Sequence, residues 1–188
     1  MQADTNVERE IKLQFPSVED ARAAIMAAGC TPLLGRRLQE DALLDNAEEE
    51  LRKRRCVLRV RAEGGKSRLT FKGPVQPGPM KVREELETVI GDGEMLLQVF
   101  RELGFDVWFR YEKYREEFTH EDVIIAIDET PVGVYVEIEG TEAGIDAMAA
   151  AIGKNRSDYV LDSYRGLFLQ RAVEFGLSGR DLVFPSTR

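Results

Sequence analysis

With 188 residues, 43% of them hydrophobic and 32% charged, the chain is long enough for one globular domain and is neither disordered nor membrane-embedded by composition. A net charge of −8 opposes binding of a long nucleic acid, because the electrostatic contribution that dominates such binding would be repulsive overall, whereas a small anion in a local basic pocket stays allowed. The polar, acidic start Met1–Glu10 lacks the basic and apolar stretches of a secretory signal and no segment reads as a membrane span, so a cytoplasmic protein is expected.

In chain order, the pattern predicts a strand over Val7–Phe15, then a helix that Ser17 caps, that runs through Ala28 and that Gly29 closes. A strand over Arg36–Asn46 follows, then strands over Arg55–Ala62 and Ser67–Lys72 that meet at Gly64-Gly65 as a hairpin. The proline-rich run Gly73–Pro79 is a loop that cannot join a central strand. Next come a strand over Lys81–Ile90 and a helix over Glu94–Leu103 that ends at Gly104. Strands over Val107–Phe118 and Asp122–Asp128 form a second hairpin through Thr119–Glu121, and a strand over Gly133–Gly140 is the eighth. Helices over Thr141–Ile152 and Asp162–Phe175 complete a domain spanning residues 1–175, with 176–188 as a C-terminal extension.

Two residue types are set aside. Cys30 and Cys56 lack metal-ligand spacing and read as buried fillers, and the single histidine, His120, reads as a solvated turn residue rather than a base. Ser/His/Asp and Cys/His mechanisms are therefore poorly supported.

The chemistry lies in the alternation. Successive strand side chains point to opposite faces, so Glu8, Glu10 and Lys12 share one face while Ile11 and Leu13 share the other. The same split places Arg59 with Arg61, Arg68 with Thr70 and Lys72, Arg83 with Glu85 and Glu87, Lys113 with Arg115 and Tyr111, and Glu137 with Glu139. Asp128 shares parity with the apolar Ile124 and Ala126, which leaves its role the least defined. For any one strand the plain explanation is the solvated side of an antiparallel sheet. Two features favour another: the charges cluster by sign on single strands, and the helices need an apolar outer surface to cover. Closing the eight strands into a barrel satisfies both and turns the charged face into a lumen. The expected class is therefore α+β, an eight-stranded antiparallel barrel with helices packed outside. Burying that much charge needs a charged ligand; clustered carboxylates suit Mg²⁺ or Mn²⁺, and clustered Arg and Lys suit phosphate oxygens.

Glu8-Arg9-Glu10-Ile11-Lys12 has the ExExK form, and here the sequence resembles the CYTH family, the triphosphate tunnel metalloenzymes. Leu58-Arg59-Val60-Arg61, Leu69–Pro74 with its Lys72, Val82–Glu87, Lys113-Tyr114-Arg115, Asp128 with Val136–Glu139, and Ser163-Tyr164-Arg165 follow in that family's order. The resemblance covers roughly Val7 to Gln170 and implies an eight-stranded tunnel. It assigns Glu8, Glu10, Glu137 and Glu139, with Asp128, to Mg²⁺ or Mn²⁺. Phosphate contact and catalysis fall to Lys12, Arg59, Arg61, Lys72, Arg83, Lys113 and Arg115, while Glu85 and Glu87 bind metal or orient basic neighbours.

The family includes triphosphatases and class IV adenylate cyclases, and the partner implied is a small triphosphate, with a homodimer left open. Cyclases of that class resemble one another in a His-Phe pair just before ExExK, where Gln2 and Ala3 stand here. That difference, with the lack of an adenine-reading motif, points to hydrolysis of tripolyphosphate or an organic triphosphate. Cyclisation of ATP is the alternative, and a binding module without turnover is a third reading.

Overall fold

The computed structural model describes residues 6–185. The strands are β1 (Val7–Phe15), β2 (Thr31–Asn46), β3 (Val57–Glu63), β4 (Lys66–Lys72), β5 (Lys81–Ile90), β6 (Phe105–His120), β7 (Val123–Thr130), β8 (Gly133–Glu139) and the two-residue β9 (Tyr159–Val160). The helices are α1 (Val18–Ala27), α2 (Glu50–Lys53), α3 (Gly93–Glu102), α4 (Glu142–Ala151) and α5 (Tyr164–Arg171).

Neighbouring strands run β5-β4-β3-β2-β6-β7-β8-β1, all antiparallel, and β5 pairs back onto β1 to close the barrel. One edge of β1 carries β8, from Glu10↔Glu139 to Phe15↔Val134. Its other edge carries β5 as far as Glu10↔Lys81 and then β9 at Lys12–Leu13. The expected α+β barrel of eight antiparallel strands is thus the observed fold.

The outer face of the barrel is apolar on β1, β7 and β8, where helices cover it. Ile11, Leu13, Ile125, Ile127, Val136 and Ile138 point outward and are covered by α1 and α4, whose Ile25, Ile145 and Met148 complete that core. A smaller cluster packs α3 through Leu97 onto Ala42, Leu44 and Val60. The close seat of α3 requires glycine at its start, since a Cβ on Gly93 would fall 2.4 Å from the Ser67 hydroxyl. Ser17, Asp92, Thr141 and Ser163 each cap a helix through a side-chain oxygen. Among the described residues no helix is long and apolar enough to cross a membrane.

Several boundaries differ from the sequence expectation. β2 begins at Thr31, five residues early, because irregular pairing with β6 carries it past Pro32, a residue that alternation alone reads as a break. His120 is the last residue of β6 and pairs with Val123, so the turn is Glu121-Asp122 rather than Thr119–Glu121. The hairpin at Gly64-Gly65 is as expected, with both φ values positive, as a two-residue primed turn requires.

β7 and β8 stop short of the first half of β6, and α5 with the C-terminal segment fills the gap. Tyr164, Leu167 and Phe168 pack with Phe109, Tyr111 and Tyr135. Leu182, fully buried, accepts from Glu112 N (2.8 Å) and donates to Arg110 O (3.0 Å), which satisfies the otherwise open edge of β6.

Candidate functional site

The inward faces enclose a cavity of about 840 Å³. Every expected site residue except Asp128 lines it, and Asp128 lies behind its wall. Charge is buried here on a scale no structural purpose requires: Lys12, Arg59, Arg61, Lys72, Arg83 and Lys113 are each under 10% exposed.

The acids fall into two sets that sequence reasoning had grouped together. Asp128, with no exposed surface, accepts from Lys113 (2.7 Å), twice from Arg115 (2.7 and 2.6 Å) and from the Tyr164 hydroxyl (2.5 Å). Its oxygens are taken, so geometrically it is an anchor for the basic wall. Glu137 meets Lys12 (3.1 Å) and Arg115; burial opposes its charge, but Lys113, Lys12 and Arg115 outweigh burial and hold its carboxyl well below the ordinary value. Burial together with Asp128 and Glu137 pushes the Tyr164 phenol well up, so it stays protonated and donates.

In the second set only Glu139 is short of cations. Glu10 and Glu139 face each other in register across β1 and β8, a like-charge pair that costs stability on its own. Glu10 keeps Lys81 (2.7 Å) and Lys12 (3.4 Å); Lys12 and Lys81 outweigh its burial and hold it well below the usual range. Among the described residues no basic group lies within ion-pair distance of Glu139. Although its side chain meets the water of the lumen, enclosure by the barrel, then Glu10 and Glu85, raise it to about 6. Glu8 touches Lys72 (2.9 Å) and Arg83 (3.2 Å), yet burial and Glu10 lift it to about 7. A hard cation fits this donor set: Glu8, Glu10 and Glu139 offer oxygen ligands, and a cation would offset the like charges of the facing Glu10 and Glu139. As placed, no three acidic, histidine or cysteine side chains among the described residues already converge as a metal cage.

Two side chains of this network, Asp41 and Lys81, escaped the sequence reading, and a third, Thr70, was placed on the charged face without a role. Asp41, fully enclosed, holds Arg61 (2.9 and 3.3 Å) and Arg59 (3.4 Å). Burial opposes its charge, but Arg61 and Arg59 outweigh that and lower it. Lys81 shares parity with Arg83 and reaches Glu10, and Thr70 receives a bond from Arg59 (3.0 Å) and gives one to Glu87 (2.9 Å). The signal for Asp41 was present in the odd-numbered run Arg37, Gln39, Asp41, whose side chains all line the cavity or its wall. Two buried atoms facing this network, Arg59 Nε and Gln39 Oε1, have no hydrogen-bond partner among the described residues, although Arg59 Nε lies 3.4 Å from Asp41 as an ion pair.

Residues 6–163 match the CYTH domain. The chain belongs to the CYTH family. A CYTH relative from Methanocaldococcus jannaschii, named "Putative adenylate cyclase", is 30% identical over 141 residues, which cover 74% of this chain and 80% of the relative. Among solved structures, one from Vibrio parahaemolyticus described in the same words superposes with a TM-score of 0.78 at 16% identity, covering 87% of this chain and 98% of that one. A Hippeastrum protein, described as an adenylyl cyclase by name with a dominant triphosphatase activity, superposes at 0.64 with 18% identity, covering 93% of this chain and 98% of that one. At such identities these two structures share the fold with this CYTH chain. The His-Phe comparison at Gln2 and Ala3 concerns positions outside the described residues.

Proposed function

We propose that this CYTH protein is a cytoplasmic, divalent-metal-dependent triphosphatase that cleaves inorganic tripolyphosphate or an organic triphosphate in the barrel lumen. The observation that carries the reading is the division of the lumen into a basic wall held by its own acids and a carboxylate pair, Glu10 and Glu139, that face each other in register with no cation on Glu139 among the described residues. Lys12, Arg59, Arg61, Lys72, Arg83, Lys113 and Arg115 bind phosphate oxygens and stabilise charge as it develops on the transferred group. Asp41 and Asp128 keep those guanidinium and ammonium groups aimed, so that little reorganisation accompanies the reaction. Glu8, Glu10 and Glu139, with Glu137 two residues along the same face, would hold Mg²⁺ or Mn²⁺, while Glu85 and Glu87 orient Lys72 (2.6 Å) and Arg68 (2.6 Å). When bound, the metal supplies charge neutralisation and a more acidic water.

Hydrolysis is favoured over cyclisation because the basic groups of the lumen suit phosphate and none of its side chains is a recognisable reader of adenine. The name borne by the M. jannaschii relative supports the cyclase alternative. Purified protein with Mg²⁺ or Mn²⁺ should convert tripolyphosphate to orthophosphate and pyrophosphate at least as efficiently as it turns over ATP, and chelation should abolish turnover. Formation of 3′,5′-cyclic AMP from ATP, with negligible tripolyphosphate cleavage, would promote the cyclase instead.

A further inference from the structure

Inside the lumen nearly every cation has an acid: Arg61 has Asp41, Lys72 has Glu8, Lys81 has Glu10 and Lys113 has Asp128. At one rim the same rule holds for the arginines, with Arg37 between Glu63 and Glu117 and Arg68 on Glu87, while Lys66 has no acid within ion-pair distance among the described residues. The other rim breaks it. Arg55 and Arg165 line the cavity there without a carboxylate within ion-pair distance among the described residues, and only Arg52 has acids nearby, Asp45 at 3.0 Å and Glu49 at 3.1 Å.

Three further observations concern this rim. The Trp108 ring carries two guanidiniums, Arg52 at 4.5 Å and Arg165 at 4.9 Å from its centroid, so stacking gathers like charges with no acid on Arg165 to offset them. Arg55 is held at φ +58, a conformation that side-chain-bearing residues rarely adopt. The first turn of α5, at Ser163 to Arg165, opens on the same cavity and adds the positive end of a helix. The rim is also continuous with the lumen: Arg55, Arg59 and Arg61 line one cavity.

We propose that the rim formed by Arg52, Arg55 and Arg165 is a second anion subsite, which receives the fourth and later phosphates of a linear polyphosphate whose first three units occupy the lumen. This rests on the triphosphatase reading of the lumen and names the substrate class as chains longer than three phosphates. The unpaired side chains of the rim, Arg55 and Arg165, are donors only, since an arginine has five N–H groups and no lone pair to offer. A nucleobase edge or a ribose presents acceptors together with donors, and those donors need acceptors in turn. A repeating anion needs none.

The test is equilibrium binding, with Mg²⁺ present, of tripolyphosphate, tetrapolyphosphate and ATP to the full chain and to the double variant Arg55→Gln, Arg165→Gln. Wild type should bind tetrapolyphosphate about tenfold more tightly than tripolyphosphate, as one extra set of charge-assisted bonds implies, with the gap closing as salt is raised. The double variant should lose that preference while its tripolyphosphate affinity stays within about twofold of wild type; that retained affinity also shows that it is folded. Equal wild-type affinity for the two chains would overturn the subsite and leave the lumen reading intact. So would an equal loss for both in the variant. Preference for ATP over both, removed by Trp108→Ala, would replace the polyphosphate subsite with one for an organic group. Failure to bind any of the three would sink the lumen reading and this inference together.

Discussion

Asp41→Asn isolates the part of the site least visible beforehand. The carboxylate has no exposed surface and is the acid nearest two buried guanidiniums, Arg61 at 2.9 Å and Arg59 at 3.4 Å. Asparagine keeps the shape and one acceptor but removes the charge. Arg61 and Arg59 are then left under 10% exposed without that charge to offset them. Breaking one partner of a buried pair costs about 3–5 kcal/mol, and because the residual acceptor and lumen water relieve part of it, the lower figure is used. For a domain of this length, about 3 kcal/mol corresponds to a fall in Tm on the order of 10 °C. The informative measurement is the rise in Tm on adding tripolyphosphate with Mg²⁺. In wild type the ligand competes with Asp41 for the two arginines, whereas in the variant it replaces the missing charge, so the ligand-induced rise should be larger in the variant. A Tm within about 2 °C of wild type would show that the pair contributes little. An unchanged ligand-induced rise would show that Arg59 and Arg61 do not meet the phosphates.

Other consequences follow from the same geometry. Glu139→Gln or Glu10→Gln should weaken metal binding and cut turnover, whereas Arg59→Ala or Lys72→Ala should weaken triphosphate binding with metal affinity of the free protein less affected; near-wild-type activity in all four would refute the assignment. Burial and Arg115 lower Lys113 to about 8, and burial and Lys12 lower Lys81 to about 8. A bound polyanion favours the charged lysines and raises both, so binding takes up protons, and affinity should fall as pH rises through about 8 towards the ordinary lysine value; titration calorimetry showing no proton uptake at pH 8 would contradict this. Truncation after Leu177 removes Leu182 from beneath Tyr111 and reopens the edge of β6, so kcat should drop more than KM rises if the strap positions the Arg59 wall; a proportionate loss of folded protein with unchanged kinetics of the remainder would show a purely structural strap.

The alternation of charged and apolar residues was enough to determine which face of each strand is polar, because side-chain direction along a strand has a period of two and needs no tertiary information. It also carried the closed barrel, since apolar helices and a polar sheet face can both be satisfied only if the sheet closes with its charges inside. Helix ends were legible for a related reason: Ser17, Gly29, Gly104 and Gly153 act through local backbone geometry.

What only the tertiary structure decided is which charges meet. Glu8 and Glu137 looked equivalent as strand carboxylates, yet burial and the neighbouring Glu10 raise Glu8 to about 7, while Lys113, Lys12 and Arg115 outweigh burial at Glu137 and lower it. Asp128 shared parity with Ile124 and Ala126, and only the pairing of β6 with β7 places it under Arg115. Asp41 went unnoticed as a single acid in a mixed strand until register set it opposite Arg61. The stagger between strands is a property of barrel closure and of irregular pairings such as that between β2 and β6. It depends on the packing of the whole sheet, so no single strand's sequence encodes it.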